Sequence, residues 1–161
     1  MSIELKKGLS EMKRSVRWGL VPDVVAHEIL KVIERDNLAA SIGSYLIEQG
    51  CLYLKPLGAG TGSVVFEITE GMILRLGVGI LKPVIESEYV NQPICQKQFG
   101  LIRVEIYPKL ITKDISDSDV TKLTVLLSSM MIQFIDPGTD NIGKDTNGRL
   151  KVIDPGAVVR F

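Results

Sequence analysis

Apolar positions along the first fifty residues recur at helical spacing. Ile3, Leu5, Leu9, Met12 and Val16 form one stripe, closed by Gly19. Val25, Ile29, Val32 and Ile33 form a second after Pro22-Asp23, and Ile42, Leu46 and Ile47 a third that ends at Gly50. From Cys51 the helical period gives way to strand character. Cys51–Leu57 leads into Gly58-Ala-Gly-Thr-Gly-Ser63, then Val64–Ile68, a turn at Thr69-Glu-Gly71, and Met72–Leu76. The pattern predicts an antiparallel meander whose first turn is rich in glycine. Pro83 is placed to open a short helix over Val84–Gln92, which Pro93 would end. Phe99–Tyr107 returns to β character. Asp117-Ser-Asp119 can cap a helix with an apolar body from Val120 to about Ile132. Two short strands then flank Thr146-Asn-Gly148, where Asn-Gly offers the positive φ angles of a tight hairpin turn.

This is an α+β pattern, with helices over residues 1–50 and a sheet-based core over residues 51–161. The chain has 161 residues, enough for one respectable core with an extension. Apolar residues make up 45% and charged residues 24%, which excludes a disordered or low-complexity chain. The 19 basic and 19 acidic residues cancel, so the electrostatic footprint of a nucleic-acid binder is missing. Lys6, Lys7, Lys13, Arg14 and Arg17 cluster near the start, and on an amphipathic helix they read as a solvated face. The two cysteines, Cys51 and Cys95, and the single histidine, His27, cannot assemble the usual zinc site, and a reducing compartment is the simplest inference. The longest apolar stretch, Leu123–Ile135, is interrupted by Ser128, Ser129 and Gln133 and is too short to span a bilayer. No Sec-type signal is visible. The expectation is a soluble protein, either cytoplasmic or delivered by a specialised bacterial secretion system, whose export signals leave little trace in composition.

Three glycine motifs compete for residues 57–65. A Walker loop requires Lys-Ser/Thr and then a helix, whereas Ser63-Val64-Val65 follows here. A dinucleotide-binding fingerprint also requires a helix, and Val64–Ile68 is strongly β. A glycine flap between antiparallel strands fits, because missing side chains let backbone N–H groups approach phosphate oxygens. A plain hairpin with a glycine-rich turn fits the same residues.

The second constellation lies near the C-terminus. Asp136-Pro-Gly-Thr-Asp-Asn141 is followed by a hairpin and then by Lys151-Val-Ile-Asp154-Pro-Gly156. An aspartate five residues before an asparagine, then a hairpin, then an aspartate before a turn is the order of a kinase catalytic loop and its metal-binding aspartate. On these two motifs, over about Leu52–Ala157, the chain resembles the protein-kinase-like superfamily, and within it the minimal effector kinases that bacterial pathogens inject into host cells.

The resemblance implies a truncated kinase-like fold: an antiparallel sheet lobe, a minimal second lobe ending just after the metal aspartate, and added N-terminal helices. It implies ATP and Mg2+ as cofactors and a protein substrate or host-cell partner. Gly58, Gly60 and Gly62 would cover the phosphates and Val65 the adenine. Arg75 would stand in for the strand lysine that contacts phosphate, with Glu88, or alternatively Glu86, as its acid partner. Phe99 to Tyr107 would be the strands leading to the adenine hinge, with Glu105 to Tyr107 supplying its backbone hydrogen bonds. Asp136 would accept or orient the substrate hydroxyl proton, and Asn141 and Asp154 would hold magnesium.

Several positions depart from the family's pattern. Ser63 replaces the third glycine, and Arg75 is not equivalent to lysine. Phe134-Ile135 replaces His-Arg, Gly138 stands where a lysine is usual, Asp140 adds negative charge, and Pro155 replaces phenylalanine. The chain stops at Phe161, leaving no room for an activation loop. Three functions follow from these features: an active minimal kinase for protein Ser, Thr or Tyr; a pseudokinase acting as a protein-binding module; and a small-molecule kinase.

Overall fold

The structure, a computed structural model, describes residues 5–12, 22–60 and 62–161. Ile3, Val16 and Gly19 of the first expected stripe, Lys13, Arg14 and Arg17 of the basic cluster, and Thr61 of the glycine turn lie outside these residues. The chain divides into two compact units, Met1–Lys82 with Ile94–Tyr107, and Pro83–Pro93 with Pro108–Phe161.

In the first unit, α1 (Leu5–Met12), α2 (Pro22–Arg35) and α3 (Ala39–Glu48) precede β1 (Lys55–Gly60), β2 (Ser63–Thr69), β3 (Met72–Val78), β4 (Cys95–Phe99) and β5 (Ile102–Pro108). The strands form a five-stranded antiparallel sheet in the order β1-β2-β3-β5-β4. Strand alternation sends Val64, Phe66, Ile68, Leu74, Leu76, Ile102, Val104 and Ile106 to one face. There they join Leu5, Leu9, Ala26, Ile29, Ile33, Ile42 and Leu46 of the helices in a single core. Ile47, expected on the third stripe, is exposed. Because the helices and the sheet bury the same core, the division between units does not fall at residues 50/51. Gly8 has a packing reason to interrupt α1: a Cβ there would lie 3.2 Å from Leu54 and 3.5 Å from the Phe66 ring.

Strand β4, Cys95-Gln-Lys-Gln-Phe99, is more polar than the sequence pattern of a strand requires, because it is the sheet's edge. Its hairpin to β5 turns at Gly100, whose φ of +55° suits glycine.

The second unit contains α4 (Asp117–Ser129) and four short strands, β6 (Ile132–Phe134), β7 (Ile142–Lys144), β8 (Leu150–Val152) and β9 (Val158–Arg160). The strands pair antiparallel as β6-β9 and β7-β8. Leu123, Leu127, Ile132, Phe134, Ile142, Val152 and Val158 make its core, together with Val90. The N-cap of α4 is Ser116, one residue before the expected Asp117-Ser-Asp119 segment. Its side chain accepts from the Asp119 N–H while the Asp119 carboxylate accepts from the Ser116 N–H, a reciprocal capping box. The Ser116→Ala variant is therefore expected to lose about 1 kcal/mol of stability, measurable as a lower urea midpoint at unchanged m-value. The helix ends at Ser129, short of Ile132, and Met131 takes a left-handed φ of +61° before β6 begins.

The helix expected over Val84–Gln92 does not form. Its backbone is used elsewhere. The Asn91 N–H donates to the Val152 carbonyl at 2.9 Å and the Val152 N–H to the Tyr89 carbonyl at 2.8 Å, so the segment lies beside β8 as a parallel bridge. The Gln92 side chain donates to the carbonyls of Ile85, Ser87 and Val90, and the Ser87 hydroxyl accepts the Tyr89 N–H. Side-chain bonds of this kind offer the backbone an alternative to a helical ladder. Among the described residues, no helix is long and apolar enough to cross a membrane.

Candidate functional site

Local pairing in the second unit fixes the backbone around the three C-terminal residues singled out by sequence. The Asn141 side-chain N–H group donates to the Asp136 backbone carbonyl at 2.9 Å and to its carboxylate at 3.0 Å, closing the Asp136–Asn141 loop on itself. Hairpin β7-β8 pairs Ile142 with Val152, and the Ile153 N–H extends the ladder to the Asn141 carbonyl at 2.8 Å. Asn141 thus stands at the hairpin end from which Asp154 departs. Pairing of Phe134 with Val158 continues in the same way, the Ile135 N–H donating to the Ala157 carbonyl at 2.8 Å. That bond draws the Asp136 segment alongside Asp154-Pro-Gly156. The Asp154 carboxylate accepts the Gly156 N–H at 2.9 Å, which fixes the side chain over the turn that follows.

Both protons of the Asn141 amide nitrogen are engaged by Asp136, so the amide oxygen is the atom suited to a hard cation. Among the described residues no three His, Cys, Asp or Glu side chains meet at one point. The donor set here is two carboxylates and one amide. Gly138 adopts an extended φ of −171°, and a Cβ there would meet only the end of the Asp140 side chain.

The β7-β8 hairpin departs from the two-residue turn expected at Asn147-Gly148. It is a three-residue loop closed by the Asp145 N–H to the Arg149 carbonyl at 3.0 Å, and only Gly148 takes a positive φ. Asp145 organises it: one carboxylate oxygen accepts the N–H groups of Asn147 and Arg149, both at 2.9 Å. The bond from the Arg149 N–H, followed by the one from Asn147 and the nearby Lys151 and Arg149 charges, holds the carboxyl below the usual carboxylate range. A depressed folded pKa contributes stability that is present above the unfolded pKa and lost as pH falls through the folded value. The hairpin is expected to loosen on acidification below about pH 4. In Asp145→Asn, which keeps the acceptor without the charge, that part of the acid dependence should vanish. Amide exchange of Ile142–Val152 between pH 3 and pH 6 reads both.

In the first unit the glycine turn joins β1 to β2, with Gly60 opposite Ser63 and Gly62 at φ +76°. Gly62 is required by this backbone. Gly58 is not: its φ is not positive, and a Cβ there would meet nothing within 4 Å. The β1-β2 register shifts between Pro56 and Gly58, and a glycine within a strand often marks such an irregularity. Val65 and Arg75 are direct cross-strand partners on the sheet face turned away from the helices.

Glu86 and Glu88 lie in the non-helical segment Pro83–Pro93, and the Glu88 carboxylate accepts from the Arg149 guanidinium at 3.0 Å. Sequence reading missed Arg103. It stands on β5 with Glu105 and Tyr107 at alternate positions, and its guanidinium reaches the Gly62 carbonyl at 3.4 Å. The polar residues interleaved between Ile102, Val104 and Ile106 mark a second strand face, but the groups beside Arg103, at Gly62 and Gly77, are distant in sequence.

No protein-family model matches the sequence, and no curated protein matches it. Among the solved structures that match are two that cover 62% of the chain, both with a TM-score of 0.43. One is of the bifunctional kinase-methyltransferase WbdD, at 12% identity over 30% of that chain, and the other is of monomeric WbdD, at 11% identity over 33%. The chain spans about a third of the length of the proteins it matches, and a likeness of this extent decides neither fold nor function.

Proposed function

We propose that the chain is an ATP- and Mg2+-dependent phosphotransferase, a minimal kinase acting on a Ser, Thr or Tyr hydroxyl of a partner protein. The observation that carries this reading is the Asp136–Asn141 hydrogen bond, supported by the strand pairings on either side of Asp154. A glycine-rich turn between the first two strands and a cation on the third support it.

Asn141, through its amide oxygen, and Asp154, through its carboxylate, would hold the cation. Two protein ligands suit magnesium, which keeps waters and takes phosphate oxygens for the rest of its shell. When bound, the cation neutralises phosphate charge. Asp136 is exposed, and the Asn141 amide fixes the orientation of its carboxylate, which suits it to accept and orient a hydroxyl proton. Gly58, Gly60 and Gly62 would offer backbone N–H groups to the phosphates, and Arg75 a permanent positive charge. Val65, beside Arg75, would cover the base.

Radiolabel transfer from ATP to a protein acceptor tests the reading. Transfer should require magnesium and should fall by about a hundredfold or more in Asp136→Asn, the scale of losing a group that acts in the transition state. Transfer unchanged in that variant would remove the assignment. A second reading, a kinase-shaped module that binds a partner without turnover, is favoured by one observation: the segment expected to supply a helical acid partner for Arg75 is not helical. Magnesium-dependent ATP binding without transfer to any acceptor would select it.

A further inference from the structure

Strand β5 alternates strictly. Ile102, Val104 and Ile106 enter the core shared with the helices, which leaves Arg103, Glu105 and Tyr107 on the opposite sheet face. These three are linked. The Tyr107 hydroxyl donates to the Glu105 carboxylate at 2.6 Å, the other carboxylate oxygen lies 3.7 Å from the Arg103 guanidinium, and Arg103 Nη2 donates to the Gly62 carbonyl at 3.4 Å. Glu105 is buried at 7% exposure, unusual for a carboxylate unless it is paired.

Gly77 keeps this path open. A Cβ there would lie 2.8 Å from the Gly62 carbonyl oxygen and would collide with the Arg103 guanidinium. Gly77 is thus the bare patch of sheet across which Arg103 reaches the turn. The Gly79 N–H donates to the Leu101 carbonyl at 2.7 Å, and β3 and β5 are neighbours in the sheet. Arg103 thus lies beside Gly77 across the two neighbouring strands.

We infer that Arg103 is a positioning residue that fastens the glycine turn to the sheet. Glu105, oriented by the Tyr107 hydroxyl, faces its guanidinium. The fastening is a property of the first unit alone, whereas its bearing on phosphate binding rests on the nucleotide reading of the turn. Arginine suits the task because its fork can donate to a carbonyl and face a carboxylate at once, which an ammonium does poorly.

The test compares the full chain with Arg103→Gln, Arg103→Lys and Glu105→Gln in two measurements. Amide exchange without nucleotide should accelerate by about tenfold over residues 57–65 in Arg103→Gln, with the amides of α2 and α4 unchanged. Titration with ATP and Mg2+ should show affinity lowered by about tenfold in the same variant, only partly restored in Arg103→Lys, and lowered to a smaller degree in Glu105→Gln. Turn exchange unchanged in Arg103→Gln overturns the inference, as does acceleration spread evenly over the first unit. Selective acceleration with ATP affinity equal to wild type overturns the positioning role. A selective effect in a protein that binds no ATP at all upholds the fastening and removes the nucleotide reading, so the two failures are separable.

Discussion

The Asp154→Ala variant is expected to lose magnesium-dependent nucleotide binding altogether. Asp154 follows Ile153, whose N–H bonds to the Asn141 carbonyl beyond the Ile142–Val152 pair. Alanine removes the charge that would balance the cation and leaves an amide oxygen and the Asp136 loop, too little to hold magnesium against its own hydration. A ligand present at a hundred times its Kd stabilises a protein by about 2.7 kcal/mol. Wild type should show a rise in melting temperature with ATP and magnesium that disappears with a chelator, and the variant should show none. Asp154 also caps the turn at Gly156, so alanine carries a structural cost of its own. Asp154→Asn keeps that acceptor and removes the charge. It should melt close to wild type without ligand and still fail to respond to ATP and magnesium.

Truncation of Phe66 to alanine is expected to give the largest loss of stability. Phe66 is fully buried at the middle of β2, between the helices and the sheet, and Gly8 of α1 approaches its ring closely. Removing a buried aromatic ring costs the transfer free energy of its atoms plus a cavity term, together about 3–5 kcal/mol. Typical domains are stable by only about 5–15 kcal/mol. For a chain of this size the melting temperature should fall by roughly 6–20 °C. Protection in α2 and β2 should drop most in amide exchange, whereas the amides of α4, which packs in the separate cluster around Leu123 and Leu127, should be affected least.

Long, regular patterns were the most legible part of this chain. The stripes of α2 and α3 and the meander of β1 to β3 follow from periodicity, because each buries one face against the same core. The proximity of Asp136 and Asn141 was legible because they share one short loop. Less legible were the elements decided by partners distant in sequence. Val84–Gln92 carries plausible helix punctuation, yet residues 89–91 bond to Val152 some sixty positions away. Strand β4 is held at the sheet edge by pairing with β5 despite its polar composition. Arg103 was invisible for the same reason, since its meaning depends on Gly77 and Gly62, which the sheet brings beside it.

The central claim is that Asn141 and Asp154 would hold a cation used with a nucleotide, with Asp136 beside it. Manganese, a paramagnetic substitute for magnesium, tests it directly by NMR. With a nonhydrolysable ATP analogue present, a small amount of manganese should broaden the Asn141 side-chain signals and the amides of residues 136–142 and 153–157 first, and Asp154→Asn should abolish the effect. Broadening that begins elsewhere, or that is the same in Asp154→Asn, would contradict the account.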